Sequence, residues 1–296
     1  MLTKRSIADK FEALIQNLRT QNDDKLRSRR KAITKRINQD FWGSDSETEH
    51  SRHVGSYGRG TEIRGASDVD LLVRLPWSVY DQYNAHLYNG QSAMLQAVRD
   101  SIRKTYSATD VGGDGQVVVV KFSDGIKFEV LPAFRNDDGS YTHPDSNNGG
   151  SWKRTDPVSE IDAINSANAL YNKKVKHLAR MARAWKAKNS VPMGGLLIDT
   201  LVYSFMAGWE YRNNTSFLYY DWMTRDFFKY LHDQNPDQSY WYAPGSDQRV
   251  YRSGAFEYKA GQAHKAALEA IEYEERDMPY SANEQWKKIY GSYFTG

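Results

Sequence analysis

The sequence predicts an α+β protein of two lobes, with a mixed sheet in the first lobe and helices in the second. Short apolar runs bounded by turn residues lie before residue 150, as expected for strands. After that point, apolar residues recur at helical spacing over long segments. A chain of 296 residues, 40% of them hydrophobic, is long enough for two lobes. We therefore place the lobes at residues 1–150, which include the N-terminal helices, and at residues 151–296.

Two helices are predicted at the start of the chain. In the first, apolar residues recur at helical spacing: Phe11, Leu14, Ile15 and Leu18. In the second, the apolar positions are Leu26, Ile33 and Ile37. Either Asn22 or Asp23 could supply its N-cap. The other faces of the second helix are rich in arginine and lysine, which we interpret as solvated surface rather than as a stripe that binds nucleic acid.

Strands are predicted in the remainder of the first lobe, at residues 69–75, 117–122 and 126–131. The second and third of these flank Asp124 and Gly125, a dipeptide that is typical of β-hairpins. Residues 136–151 are polar and glycine-rich, and we predict that they form a connector. The second lobe is predicted to contain helical segments at residues 159–189, 194–210, 220–233, 256–276 and 283–291.

Composition limits the function classes that the chain can belong to. Its net charge of +3 does not indicate a general nucleic-acid coat, and the absence of cysteine excludes disulfides and thiolate zinc sites. The first residues lack the apolar core of a signal peptide. Residues 194–209 are the most apolar stretch, but they are too few to span a bilayer and include Asp199. We therefore expect a soluble cytoplasmic protein that does not act at a membrane.

A glycine-rich run precedes two closely spaced acids. Residues 55–61 read G-S-Y-G-R-G-T, and Asp68-Val69-Asp70 follows. The glycines allow close approach of the backbone, and amides beside Ser56 could hold phosphate oxygens. Side chains alternate along a strand, so Asp68 and Asp70 project from the same face. Two adjacent carboxylates repel each other, and magnesium held by carboxylates and substrate phosphates would neutralise them.

A third acid, Glu129, lies on the predicted strand 126–131, where it alternates with Phe128 and Val130. An unpaired carboxylate on an apolar strand is costly, and a second metal ion shared with Asp70 would account for it. Two cations about 4 Å apart can activate an attacking hydroxyl and stabilise a leaving pyrophosphate. Each motif alone is weak evidence, because Asp-x-Asp also occurs in turns and calcium loops. Their conjunction indicates a catalytic site. By contrast, the pair His50 and His53 lacks further ligands, so zinc is not predicted.

The run GSYGRGTEIRGASDVDLLV, followed by KFEVLPAF, resembles the CD-NTases. These are bacterial relatives of cyclic GMP-AMP synthase and oligoadenylate synthase, in the DNA polymerase beta-like nucleotidyltransferase superfamily. Residues 178–186 (LARMARAWK) are similar to the family's basic, tryptophan-bearing helix, and residues 285–294 (QWKKIYGSYF) are similar to its terminal signature. The resemblance implies a polymerase beta-like fold of two lobes, with residues 1–150 as the catalytic lobe.

The resemblance also implies roles for individual residues. Asp68, Asp70 and Glu129 would be the catalytic residues and would hold Mg²⁺, with Mn²⁺ as an alternative. Glu129 would also help to deprotonate the attacking ribose hydroxyl. The nucleotide-binding residues are expected at these positions: Gly55, Ser56, Thr61, Asn165, Arg180 and Arg183. The sequence departs from the family at Glu129, where aspartate is usual, and at Gly194-Gly195, where a serine is expected.

Three asparagines, Asn165, Asn168 and Asn172, fall on one stripe of a helix that we predict over residues 165–188. An asparagine amide both donates and accepts hydrogen bonds, as reading the edge of a base requires. Helix capping and ordinary surface polarity are the alternative interpretation.

The resemblance implies an enzyme that joins nucleoside triphosphates, ATP or GTP or both, into a cyclic di- or trinucleotide second messenger. The product would switch on a separate effector protein in bacterial antiphage defence, and no nucleic-acid activator is expected. One alternative is a related enzyme that makes linear oligonucleotides or adds nucleotides to RNA. Another is an inactive nucleotide-binding module, which the two departures from the family pattern would explain.

Overall fold

The computed structural model of the protein describes residues 6–20, 24–65 and 68–296. It has an α+β fold with a mixed sheet, as the sequence predicted. The chain divides into two compact units. The sheet unit comprises Asn22–Arg59 and Ala66–Ile161, and the helical unit comprises Met1–Gln21, Gly60–Gly65 and Asp162–Gly296. The two candidates for an N-cap, Asn22 and Asp23, lie outside the described residues.

The sheet unit contains both strands and helices, and its last five strands follow one another without an intervening α-helix. Its strands are β1 (Ser51–His53), β2 (Asp68–Arg74), β3 (Asp110–Asp114), β4 (Val117–Lys121), β5 (Lys127–Arg135), β6 (Tyr141–Asp145) and β7 (Ser151–Thr155). Its helices are α2 (Asp24–Phe41), α3 (Gly55–Arg59), α4 (Trp77–Asn84) and α5 (Gly90–Thr105). The predicted hairpin is confirmed, since β4 and β5 pair antiparallel and Gly125 adopts a φ of +85° in the turn between them.

Within the described residues, the seven strands form one mixed sheet with the order β1-β2-β5-β4-β3, and β6 links β5 to β7. Strands β2 and β5 run parallel, and the other pairs are antiparallel. One face of this parallel pair is apolar and packs against α2 and α5 through Val69, Leu71, Phe128 and Val130. The residues that alternate with these point to the opposite face, as the pleat requires.

The helical unit is built from α1 (Ile7–Leu18), most of α6 (Pro157–Leu170), and five further helices. These are α7 (Lys174–Asn189), α8 (Gly195–Gly208), α9 (Tyr220–His232), α10 (Glu257–Glu275) and α11 (Pro279–Tyr290). A short antiparallel hairpin, β8 (Tyr240–Tyr242) and β9 (Arg249–Tyr251), lies between α9 and α10. Helix α8 is buried along one side. Among the described residues, no helix is both long and apolar enough to cross a membrane.

The two units differ from the predicted lobes of residues 1–150 and 151–296 because parts of the first half join the helical core. Four apolar residues of α1 are fully buried in that core: Phe11, Leu14, Ile15 and Leu18. Phe11 contacts Trp286 and Phe294 from the end of the chain. The segment Gly60–Gly65 also groups with the helical unit. Sequence periodicity identified α1 as a helix but could not show which core it packs into.

Two sequence-based predictions about secondary structure were wrong. The segment 159–189 is not one helix, since Asn172 and Lys173 have φ angles of 52° and 68° and separate α6 from α7. Asn172 therefore does not continue the stripe of Asn165 and Asn168. The region 136–151 is also more than a connector, because β6 lies within it and pairs with β5 and β7.

Candidate active site

The three predicted catalytic acids lie near the beginning of two adjacent parallel strands. In the register of β2 and β5, Asp70 is opposite Glu129 and Asp68 is opposite Lys127. Parallel strands begin at the same edge of a sheet, so the acids are brought together although about 60 residues of chain separate them. The side chains of Asp68, Asp70 and Glu129 lie on the face opposite the apolar core, as the alternation of the two strands predicted.

Lys127 lies among these acids, and its role was missed in the sequence. Its Nζ is 2.7 Å from Glu129 Oε1 and 3.4 Å from Asp68 Oδ1. The Glu129 side chain is 31% exposed, so it is not the unpaired, buried carboxylate that the sequence suggested. The alternation that puts Lys127 and Glu129 on the same face was the available signal. The ammonium group therefore balances part of the negative charge in this structure.

The carboxyl of Asp70 is partly buried and lies beside other negative charges. Burial raises the pKa of its carboxyl to about 6, and the negative charges of Glu129 and Asp68 add to the increase. The cations Arg59 and Lys127 lower the pKa but do not cancel these effects. Burial and like charges both disfavour the ionised form of Asp70, and an additional cation close to this carboxylate would favour it.

The donor chemistry of this cluster fits a hard divalent cation, because all three acids offer carboxylate oxygens. Burial is the main cause of the raised pKa of Asp70, and the nearby charges of Glu129 and Asp68 raise it further. Among the described residues, however, no three acidic or histidine side chains are already arranged to hold a metal ion. Binding of a cation by all three carboxylates requires the Lys127 ammonium to move away from Asp68 and Glu129.

The glycine-serine turn lies directly against Asp70. Gly55 begins the short helix α3 with a φ of +57°, and a Cβ atom built on it would lie 1.8 Å from Asp70 Oδ2. The Val54 amide, just before this turn, donates a hydrogen bond to the Asp70 carbonyl over 3.0 Å. Ser56 is half-buried in the first turn of α3. Gly55 thus lies against one of the predicted catalytic acids, and Ser56 follows it in the same turn.

Two other predicted nucleotide-binding residues form a buried network in the helical unit. Arg183 makes two hydrogen bonds to the fully buried Asp199, of 2.6 and 2.8 Å, and also donates to the carbonyls of Ala179 and Gly195. The Thr61 hydroxyl donates to the same carboxylate over 3.1 Å. Neither Arg183 nor Thr61 presents its polar atoms to a ligand here. The prediction that they bind the triphosphate is not supported by this geometry, because a buried carboxylate already engages both.

Arg180 and Asn165 also have protein partners. The Arg180 Nε donates to the Glu62 carbonyl over 3.0 Å, and its Nη2 is 3.6 Å from the Glu62 carboxylate. Exposed Asn165 accepts a 2.6 Å hydrogen bond from Lys176 Nζ. Lys176 lies against Gly60, where an added Cβ would be 3.0 Å from its Nζ. Lys176 therefore places a positive charge beside Gly60. The spacing of residues along α7 did not reveal this contact.

Comparison with known proteins supports the α+β fold described above. A probable cyclic nucleotide synthase of Bacillus cereus (strain VD146) is 22% identical over 276 residues, which cover 81% of this chain and 80% of that protein. Two structures of Escherichia coli MS115-1 CdnC, one in a complex with HORMA-deltaN and one with ATP, have TM-scores of 0.71 and 0.67 at 16% identity. Both alignments cover 98% of this chain, and they cover 98% and 99% of the respective CdnC chains. Bradyrhizobium diazoefficiens CdnG in complex with GTP has a TM-score of 0.67 at 10% identity, over 97% and 95% of the two chains.

A mixed sheet that aligns carboxylates beside a glycine-serine turn is the arrangement of a nucleotidyltransferase, and the protein is an enzyme of that class. The sequence-family model of the Second Messenger Oligonucleotide or Dinucleotide Synthetase domain matches residues 6–168, which is more than half of the chain. The chain therefore belongs to this family, the CD-NTases, as its motifs predicted.

Proposed function

We propose that this enzyme joins nucleoside triphosphates into a cyclic di- or trinucleotide and releases pyrophosphate. The observation that carries the proposal is the register of β2 and β5, which sets Asp70 opposite Glu129 with Gly55 against the Asp70 carboxylate. ATP and GTP are the proposed substrates, since CdnC and CdnG, which share the fold, are found with these nucleotides. The enzyme would work in the cytoplasm, and its product would activate an effector protein in antiphage defence.

Each residue of the site has a distinct proposed role. Ser56 and the backbone amides of its turn hold triphosphate oxygens by hydrogen bonds. Asp68, Asp70 and Glu129 would hold Mg²⁺, with Mn²⁺ as an alternative. The bound cations would neutralise phosphate charge and lower the pKa of the attacking hydroxyl. Glu129 is half-exposed, and its carboxylate accepts the proton of the attacking ribose hydroxyl.

Incubation with radiolabelled ATP and GTP in Mg²⁺, followed by phosphatase, tests this proposal. Cyclic products are unchanged by phosphatase, because they have no terminal phosphate, whereas linear oligonucleotides lose their terminal phosphates. We expect Glu129→Gln to reduce turnover by on the order of a hundredfold or more, the usual effect of removing a catalytic base. Glu129→Asp keeps the carboxylate and should retain measurable activity.

Asp110→Asn is the matched control, because Asp110 is an exposed acid at the start of β3 in the same unit. It should leave turnover unchanged. Phosphatase-sensitive products would instead support a linear oligonucleotide synthase. Nucleotide binding without any product would support an inactive module, and parental turnover in Glu129→Gln would exclude Glu129 as the base.

A further inference from the structure

A second polar cluster lies at the far ends of the strands that carry the catalytic acids. Arg74 ends β2 and Arg135 ends β5. Arg52 lies in β1 opposite Leu72 of β2. By the alternation of each strand, all three arginines belong to the sheet face that also carries Asp70 and Glu129. One face of the sheet is therefore acidic where β2 and β5 begin and basic where they end.

These arginines line open space within the sheet unit. A cavity of about 370 Å³ is bordered by all three, together with His50 and Tyr141. A second cavity of about 490 Å³ shares Arg74 and Arg135 and is bordered by Trp42 and Trp77. We call the two together the arginine groove. Each cavity has the size of a pocket for a small molecule.

The guanidinium groups of the groove have no carboxylate partner. Across residues 6–20, 24–65 and 68–296, the side chains of Arg52, Arg74 and Arg135 form no ion pair and no hydrogen bond with the protein. The Nε of Arg74 is buried without an acceptor. An anion in the groove would pair with the charge of the Arg74 guanidinium, which has no carboxylate partner across these residues.

Three acids border the two cavities, Asp137, Asp138 and Asp156, and they offset only part of the charge of the three arginines. Asp138 pairs with Arg154 and accepts hydrogen bonds from Ser140. Asp156 accepts two hydrogen bonds from Ser159, of 2.6 and 3.1 Å. Within the described part of the chain, Asp137 and Asp156 are the two of these acids without a cationic partner, so the three arginines leave the groove with a net positive charge.

The second cavity adds an aromatic surface to the basic one. The Trp77 indole is 44% exposed, and its Nε1 donates a 2.9 Å hydrogen bond to the Arg135 carbonyl, which fixes the ring beside that arginine. The Trp42 indole is already covered, by His50 at 4.0 Å between ring centroids and by Arg74 at 5.4 Å. Trp77 is thus the ring that remains open to stack with a planar ligand.

We propose that the arginine groove is a second nucleotide-binding site, separate from the catalytic acids, that holds the phosphates on Arg52, Arg74 and Arg135 and the base against Trp77. Guanidinium groups bind phosphate oxygens in pairs, and exposed indoles stack on bases. At about 3.3 Å per residue, Arg74 is roughly 13 Å along β2 from Asp70, and Arg135 is roughly 20 Å along β5 from Glu129. A phosphate in the groove cannot contact those carboxylates.

Calorimetric titration in EDTA tests this site without turnover, with ATP and inorganic tripolyphosphate as the two probes. We expect Arg52→Ala and Arg135→Ala to weaken the binding of both probes by about tenfold or more, the usual effect of losing a hydrogen bond to a charged group. Arg27→Ala is the matched control, since Arg27 is an exposed arginine of α2 outside the groove, and it should bind like the parent. Parental affinity in both groove variants would overturn the proposal.

Two further measurements locate the ligand and test the role of the base. Hydrogen exchange with ATP in EDTA should show protection at residues 50–53, 72–76 and 135–139, and protection confined to residues 55–58 and 68–70 would overturn the proposal. Trp77→Ala should weaken ATP binding but not tripolyphosphate binding, and an equal effect on both would exclude a nucleotide. None of these results depends on product formation, so failure here is distinct from failure of the proposed synthase.

Discussion

At the scale of single residues, Gly55 shows how one missing side chain permits the site to form. Its φ of +57° lies in the left-handed region, where a Cβ costs roughly 1–2 kcal/mol. Here, the same Cβ would also lie 1.8 Å from the Asp70 carboxylate. The sequence suggested that Gly55 is needed for the approach of a phosphate. The structure gives a second reason, which is the close packing of the turn against the Asp70 carboxylate.

We expect Gly55→Ala to destabilise the protein by more than the backbone penalty and to abolish nucleotide synthesis, because Asp70 must be displaced. Gly43→Ala is the matched control, since Gly43 has a φ of +64° but no atom within 4 Å of an added Cβ. It should cost only roughly 1–2 kcal/mol and retain activity. Denaturant unfolding and product assays measure both effects. Equal losses in the two variants would show that contact with Asp70 is unimportant.

Lys127 supports a prediction about the metal ion. Its ammonium contacts Glu129 and Asp68, so a cation that binds these carboxylates must replace it. We expect Lys127→Met to increase the affinity for Mn²⁺ several-fold, because the competing charge is removed and the crowded carboxylates gain more from a cation. Titration calorimetry with Mn²⁺, in the absence of nucleotide, measures this change.

Lys121→Met controls for the loss of one positive charge, since Lys121 pairs with Asp110 on the exposed surface of the same sheet. Its affinity for Mn²⁺ should match that of the parent. If Lys127→Met bound Mn²⁺ no better than Lys121→Met, Lys127 would not compete with the metal ion.

At the scale of secondary-structure elements, the ion pair of Arg183 and Asp199 joins α7 to α8. Asp199 is fully buried, and removing its partner leaves an uncompensated charge, which typically costs about 3–5 kcal/mol. We therefore expect Arg183→Ala to lower stability by an amount of that order. The affinity of the folded protein for ATP should change little. Thermal unfolding and ATP titration separate these two effects.

The control is Lys229→Ala, which removes an exposed ion pair with Asp233, the residue that follows α9. Such pairs contribute about 0–1 kcal/mol, so stability should be nearly unchanged. If Arg183→Ala instead kept the parental stability and lost affinity for ATP, Arg183 would contact the triphosphate, as the family resemblance implied.

The elements also show which features the sequence could specify. Apolar periodicity located α1, α8, α9 and α10, and the Asp124-Gly125 turn located the hairpin, because these signals are local. The break between α6 and α7 was missed, since Asn172 and Lys173 carry no strong helix-breaking signal yet adopt positive φ angles. Strand alternation placed Asp68 and Asp70 on one sheet face, as the structure has them. The partners of Arg183, Arg180 and Lys127 come from distant residues or from strand register, which spacing alone does not give.

At the scale of the whole molecule, each core gathers segments that are far apart in the chain. In the sheet unit, the parallel pairing of β2 and β5 brings acids to one end of a sheet face and arginines to the other. In the helical unit, the first helix packs against the last residues of the chain, and Asn17 donates a 2.9 Å hydrogen bond to the Tyr293 carbonyl. The first helix is therefore needed to complete a core that is formed mainly by the second half of the sequence.

Phe11 tests this dependence. It is fully buried, and its ring centroid lies 5.1 Å from that of Trp286 and 5.7 Å from that of Phe294. We expect Phe11→Ala to destabilise the helical unit by about 3–5 kcal/mol, the usual cost of removing a buried aromatic ring, and to increase hydrogen exchange in α11. Tyr280→Ala removes a ring of α11 that is 79% exposed, and should change little. Similar stability and exchange in both variants would mean that α1 is peripheral to the helical core.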